Sequence, residues 1–239
     1  MEETEHIKEA FTELAPSYVK AMNKELSQFW GISYPNFIEQ LVRKAEVKKG
    51  DKVLDIATGT AMIPLKIVSD NHYQDQIVGL DITPAMLRQG RKEIAGKRSD
   101  QAIDLVCASA MDMPFAEGTF NVIICCLGTH HMNVPKMLSE AKRMLAKGGR
   151  VIISDVGATP FWRCTAGKIL LRLLMLEYGF VNRSARSQAE IEAFQNVRTA
   201  QEWLELLVDF GFSKVHIEEI KPRLPWFPSG LTLQAVIAD

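Results

Sequence analysis

Three observations in the sequence point to an α/β chain folded around a doubly wound sheet. Between residues 50 and 155, apolar runs of strand length alternate with stretches of helical periodicity. The runs are nearly continuous in branched apolar residues, as strands covered by helices on both faces are. A turn of small residues follows the first run directly, where sheets of this kind open a ligand crevice.

In chain order, residues 1–45 read as helices able to cap the sheet. Lys52–Ala57 is the first strand, introduced by Gly50 and Asp51. A helix follows from Ala61 to Ser69, then a strand over Gln76–Asp81. The next helix, Pro84–Ala95, opens with Thr83 as its cap and proline at its first position. Strands at Ile103–Cys107 and Phe120–Cys126 are joined by a stretch, 107–120, that reads as loop. A helix over Val134–Leu145 stops at Ala146–Gly149 with lysine in its last turn, and Gly149–Asp155 is the fifth strand. Beyond lie a helix from about Gly167 to Tyr178, an amphipathic helix over Thr199–Phe210 stopped by Gly211, and a terminal antiparallel hairpin of Val215–Ile220 and Leu231–Ile237. No linker separates these parts, so a single Rossmann-like domain over 1–239 is expected. Its parts are a helical N-terminal cap (1–45), a core (50–155), an inserted lid (156–198) and a C-terminal helix with strands (199–239).

Composition narrows the class. The 239 residues are 47% hydrophobic and 24% charged, an ordinary globular balance that argues against wholesale disorder. Lys+Arg number 28 and Asp+Glu 29, for a net charge of -1, so no electrostatic footprint for nucleic acid is present. Cysteines at 107, 125, 126 and 164 form no C-x-x-C pair and suit neither a disulfide framework nor a zinc site. A reducing, cytoplasmic setting and no metal are expected. Met1–Glu13 is acidic and lacks an apolar signal core. The greasiest stretch, Ile169–Leu176, is broken by Arg172 and falls short of the ~20 residues of a membrane helix, which leaves peripheral membrane contact open. The oligomeric state is not legible.

The informative segment is Val53–Ala61. Asp55 closes a strand, small residues follow at Ala57, Gly59 and Ala61, and a helix starts. Small residues let backbone approach a ligand, and the helix N-terminus favours negative groups. Asp55 can accept from a ligand ammonium. Asp81 ends the next strand, 22 residues after Gly59, where a carboxylate can accept both ribose hydroxyls. A dinucleotide site wants G-x-G-x-x-G, and the third glycine is missing here. That disfavours a nicotinamide-dependent oxidoreductase. A ligand with an amino acid at one end and a nucleoside at the other, S-adenosylmethionine, fits both acids.

On these residues the chain resembles the class I S-adenosylmethionine-dependent methyltransferases. Within them it is most similar to the ubiquinone/menaquinone-biosynthesis C-methyltransferases. The first family motif, an acid then G-x-G-x-G, matches Asp55–Ala61 with alanine at two of three glycines. Gly79–Leu87 matches the second, Ser109–Asn121 the third, Cys126–Met132 the fourth and Arg143–Arg150 the fifth. Phe11–Asn23 resembles the family's N-terminal segment, with Val19 in place of an aspartate. Ala189–Phe212 resembles its last helix and 231–239 its last strand, whereas 156–187 match poorly. Ser109 stands where many relatives carry an aspartate that accepts from adenine, so that contact loses its charge assistance.

The resemblance implies a cofactor site of Tyr18, Asp55, Ala57, Thr58, Gly59, Ala61, Asp81, Ile82, Met86, Ser109, Ala110, Met111, Cys125 and Cys126. Ala110 and Met111 would line adenine, and the Cys125 and Cys126 backbone would face the methionine part. Tyr18 either closes over the cofactor or anchors its helix. His130 and His131 are candidate general bases, with packing or capping as the plain alternative. The stripe Ile169, Leu170, Leu173, Leu174 and Leu176 reads as core or as the wall of an apolar pocket. The expected function is methyl transfer to a small hydrophobic or aromatic acceptor, quinone-like or lipid. The alternative is an S-adenosylmethionine-binding protein with other chemistry or none. Balanced charge and the lack of an N/D-P-P-Y/F motif speak against nucleic-acid methylation.

Overall fold

The computed structural model describes residues 2–71, 75–97, 101–181, 185–194 and 196–237. Helices α1 (Glu2–Leu14), α2 (Tyr18–Trp30) and α3 (Tyr34–Ala45) precede the first strand, β1 (Val53–Ile56). Then come α4 (Met62–Asn71), β2 (Ile77–Asp81), α5 (Pro84–Ile94), β3 (Ile103–Cys107), β4 (Phe120–Cys126), α6 (Val134–Met144) and β5 (Leu145–Gly157). The chain continues through α7 (Pro160–Arg163), α8 (Thr165–Val181), α9 (Ala185–Phe194) and α10 (Ala200–Asp209). It ends on β6 (Phe212–Ile220) and β7 (Ser229–Ile237).

The seven strands order as β3-β2-β1-β4-β5-β7-β6. β1 to β5 pair in parallel, and β7 runs antiparallel to both β5 and β6. The order reverses between β1 and β4. At that switch the loops after the two strands diverge to opposite faces and leave a crevice at the carboxyl ends.

Alternation along each strand divides the core. Val53, Ile77, Ile103, Val122, Ile124 and Ile152 pack against α2–α5. Leu54, Ile56, Val78, Leu80, Ile123 and Ile153 pack against α6 and α10. Each fully buried side chain of this size contributes about 1.5–3 kcal/mol. β1, β2 and most of β4 are buried on both faces, which is why they read as continuous apolar runs.

Several boundaries differ from the sequence expectation, each for a local reason. α6 ends at Met144, because Leu145 turns extended (φ -70, ψ 131) and pairs with Phe120. Lys147 therefore lies in the strand segment, and the basic residues of the last helical turn are Lys142 and Arg143. Thr83 sits at the N-cap of α5 without a side-chain cap bond. The segment 189–212 is not one helix. α9 stops at Phe194, and α10 starts afresh behind Thr199, whose hydroxyl accepts from Glu202 N–H in a reciprocal capping box.

The apolar stripe on α8 also differs. Leu171 is the buried residue, packed with Trp162, Val197 and Ala158. Ile169, Leu170 and Leu173 are exposed, at 56%, 37% and 59%, and line neither of the two cavities described below. The side chains of Leu174 and Leu176 lie outside the described residues. Among the described residues no helix is long and apolar enough to cross a membrane. All four cysteines are free, with Cys107 and Cys164 exposed and Cys125 and Cys126 buried.

Candidate active site

A cleft of about 400 Å³ opens at the carboxyl ends of β1 and β2. Its floor is the turn after β1. Ala57 (φ 56), Gly59 (φ 56) and Ala61 (φ 61) all adopt left-handed backbone. This conformation is free to glycine and costs an L-residue roughly 1–2 kcal/mol. The alanines at two of the three glycine positions therefore hold a strained turn, kept by Thr58 N–H donating to Leu80 O (3.0 Å) and Ala61 N–H to Thr58 O (2.9 Å).

The two strand-end acids are prepared differently. Asp81 accepts from Gly59 N–H (2.9 Å) on one oxygen and from Thr83 N–H (2.8 Å) on the other. Burial raises its carboxyl, and these N–H groups offset part of that. Its lone pairs left over face the cleft, which it lines. Asp55 is fully buried beneath the turn, and among the described residues neither of its oxygens has a hydrogen-bond partner. The Thr58 hydroxyl stands nearby outside bonding geometry. Burial pushes the Asp55 carboxyl up to about 8, with the Thr58 hydroxyl opposing the rise and Asp81 adding to it. A buried carboxylate without donors is costly, and a cationic partner would repay it.

Of the residues that sequence assigned to the cofactor, Tyr18, Ala57, Gly59, Asp81, Ile82, Met86, Ala110 and Met111 line this cleft. Asp55, Thr58, Ala61, Ser109, Cys125 and Cys126 do not line it. The Thr58 side chain covers Gly79, where an added Cβ would lie 2.7 Å from the hydroxyl. Ala61 packs on Gly90 of α5, with 3.3 Å to a Cβ placed there. The Ser109 hydroxyl is engaged with Met111 N–H (3.2 Å). Cys125 and Cys126 belong to the two opposite cores, and burial pushes both thiols well above their usual range. Tyr18 reaches the cleft, and its ring meets Tyr34 edge-on at 6.1 Å.

His130 and His131 also line the cleft. They lie on a 3-10 turn, Thr129–His131, just after β4. The His130 Nδ1 is 2.6 Å from an oxygen of Asp155, which is buried near the end of β5. Asp155 also accepts from Thr129 N–H (2.7 Å), the Thr129 hydroxyl, His130 N–H (3.3 Å) and Val156 N–H (2.7 Å). Burial alone would raise this carboxyl, but His130 and the donors outweigh it and hold it below the usual carboxylate range. Burial likewise works against the His130 imidazolium. Asp155 first, then Glu190 and Glu25, outweigh that and raise its pKa.

A second cavity, about 1040 Å³, adjoins the first and runs between α2, α8, α9 and the 226–228 loop. Trp162, Leu171, Phe194, Trp226, Phe227 and Phe29 give it an apolar wall. Phe11, Tyr18, Leu127, His130, His131 and Ala193 line both cavities and form the partition. Phe29 and Trp162 thus line this space, whereas Trp30, Tyr34 and Phe37 are core. His131 is held at the partition by an edge-on contact with Phe11 of α1 (5.1 Å).

Sequence reasoning missed Asp155 and the cleft residues on and just after α9, among them Ala189, Glu192 and Asn196. Asp155 left one signal: it is the third aspartate closing a parallel strand, after Asp55 and Asp81. One grouping, His130, His131 and Glu190, brings potential metal-ligand atoms within 4.8 Å of one another. No fourth ligand joins the grouping among the described residues. We read it as a polar cluster rather than a metal centre.

The fold and this cleft define the class: a Rossmann-like nucleotide-binding sheet with an acid under the glycine-type turn, an acid at the next strand tip, and an antiparallel β7. The comparisons give the family. The profile of the ubiE/COQ5 methyltransferase family matches residues 1–219, and the chain belongs to that family. It is 29% identical over 163 residues to a demethylmenaquinone methyltransferase of Symbiobacterium thermophilum, covering 68% of this chain and 63% of that protein. It is 27% identical to the mitochondrial 2-methoxy-6-polyprenyl-1,4-benzoquinol methylase of Leishmania donovani, covering 95% of this chain and 83% of the relative. A solved S-adenosylmethionine-dependent methyltransferase from Aquifex aeolicus shares the fold (TM-score 0.63, 16% identity, 93% of this chain and 98% of that one). The matched stretch thus spans less than two thirds of the Symbiobacterium relative.

Proposed function

We propose that the protein transfers a methyl group from S-adenosylmethionine to a small apolar acceptor, a quinol or phenol. The observation that carries this reading is the pair of acids around the Ala57–Gly59 turn. Asp55, buried and without a donor, fits the ammonium of an amino-acid end. Asp81, held by two N–H groups, fits a ribose diol. Ile82, Ala110 and Met111 make the adjoining apolar slot for a base. The bound cofactor supplies a methyl already activated by sulfonium charge, so the chain's own residues align the acceptor and exclude water. The second cavity suits an acceptor carrying apolar bulk, and its continuity with the first puts that acceptor against the partition. In this reading the whole chain works as one catalytic domain in the cytoplasm, with α1 and α9 as the roof.

A cofactor-binding protein without methyl transfer is the second reading. It is favoured by the two strained alanines and by Ser109, whose hydroxyl already serves its own loop. Calorimetric titration with S-adenosylmethionine, S-adenosylhomocysteine and NADH, followed by transfer of labelled methyl to 1,4-naphthoquinol, separates the two. Micromolar binding of the sulfur nucleosides with transfer supports the first. Binding with no transfer to any quinol or phenol supports the second, and NADH binding alone removes both.

A further inference from the structure

We propose that His130 and Asp155 act as one unit, with His130 Nε2 as the base that takes the acceptor's proton and Asp155 as the residue that positions the ring. The inference rests on the methyl-transfer reading and adds the chain's own part in it.

Three features carry it. The first is place. His130 lines both cavities, at the partition where an acceptor in the apolar space would meet the cofactor side. The second is orientation. With Nδ1 held 2.6 Å from Asp155, the proton stays on Nδ1, and Nε2 is the nitrogen left to accept. The third is the rigidity of the support. Asp155 has a donor or the imidazole at every side: Thr129 N–H, the Thr129 hydroxyl, His130 N–H and Val156 N–H besides Nδ1. A purely structural aspartate at this strand end would need only the loop donors. Here one oxygen is shared between Val156 N–H and the imidazole, which fixes the ring plane as well as its tautomer. Asn196, just after α9, donates to His130 O (3.2 Å) and ties the same turn to the segment between α9 and α10.

The step balances without any further reactant. The acceptor's O–H bond breaks and its electron pair stays on oxygen, delocalised into the ring. The proton bonds to Nε2, and the imidazolium so formed faces the Asp155 carboxylate. Solvent in the cleft removes the proton afterwards. The charged groups that face His130 are Asp155 from β5, Glu190 from α9 and Glu25 from α2, with His131 beside it (rings 4.2 Å apart). All three acids favour the imidazolium. The acid limb of turnover should therefore lie above the ordinary histidine range.

Imidazole nitrogen NMR on the full chain, with His130 assigned by His130→Gln, tests the unit directly and without cofactor. The expected wild-type result is a proton kept on Nδ1 throughout and an Nε2 titration above 6.5 that falls by about one unit or more in Asp155→Asn. In the second arm, His130→Gln and Asp155→Asn lower kcat for 1,4-naphthoquinol by about 100-fold or more, since a general base contributes at least that. Cofactor affinity stays within about threefold, and the acid limb of kcat moves down in Asp155→Asn. His130→Gln leaves Asp155 its backbone donors, so it keeps the fold if Asp155→Asn does not. A neutral ring protonated on Nε2, rates within about threefold of wild type, or a loss of rate on EDTA treatment overturns the proposal. The last of these would give the cluster to a metal. If no quinol is methylated while the NMR result holds, the methyl-transfer reading fails and takes the base role with it, and only the positioning of the His130 ring by Asp155 stands.

Discussion

Asp55 and Asp155 are both buried aspartates near the carboxyl ends of parallel strands, and the fold treats them in opposite ways. Asp55 has no donor among the described residues, and burial pushes it up to about 8. Asp155 collects three N–H groups, a hydroxyl and an imidazole, and is held below the usual carboxylate range. The same residue type thus serves two ends. One is left short of partners and fits a cationic ligand. The other is saturated and is part of the scaffold that aims a histidine. Hydrogen-bond satisfaction distinguishes a binding acid from a positioning acid where burial and strand position do not.

The largest test of the contrast is the same truncation at both places. Asp155→Ala should cost about 3–5 kcal/mol in urea unfolding at pH 7, because it leaves the His130 ring N–H and several backbone N–H groups buried without an acceptor. Asp55→Ala should stay within about 1 kcal/mol of wild type or exceed it, since it removes an unpaired buried acid. Equal losses at both positions would end the distinction.

Next is the ligand itself. Asp55→Asn should weaken S-adenosylmethionine binding about 10- to 100-fold, the worth of a charge-assisted hydrogen bond. At pH 7 the wild-type carboxyl is mostly protonated. Pairing it with an ammonium should release close to one proton per site, read by calorimetry in buffers of different ionisation enthalpy. Asp55→Asn should release none. The raised group also gives a sign for stability. Its protonated form is the one the fold favours, so ligand-free stability should decline as pH rises from about 4 to about 8, and Asp55→Asn should flatten that decline.

Smaller effects sharpen the geometry between the two acids. A Cβ at Gly128 would lie 2.8 Å from the Ala57 Cβ. Gly128→Ala should therefore cost about 1–3 kcal/mol and weaken cofactor binding by shifting the turn. Ala61→Gly relieves a left-handed alanine but frees the unfolded chain, so its gain in thermal unfolding should stay under about 1 kcal/mol.

Legibility followed sequence distance. β1 to β5 could be read because each is a local run of buried branched residues. Asp55, Gly59 and Asp81 could be read because turn and acids fall in order within 27 residues, 55 to 81. The His130–Asp155 unit could not, because its two halves are 25 residues apart and meet only through β4 pairing with β5. The roof over the cleft was illegible in detail for the same reason. Ile7 and Phe11 of α1 and Ala193 of α9 converge from opposite ends of the chain. The stripe on α8 shows the converse error. Helical spacing told that one face is apolar, but not that Leu171, outside the chosen set, is the residue that faces in.

The distribution of cysteines has a practical consequence. The two buried thiols sit in opposite cores and are protonated far above neutrality, so alkylating reagents at neutral pH will pass them by. Cys107 lies at the tip of β3, beside Ile82 O of the cleft, and Cys164 lies between α7 and α8 near the wall of the larger cavity. The native chain thus already carries a labelling site near each cavity. A dye pair attached there would report the spacing between the sheet and its covering helices as each ligand binds, without a single engineered residue.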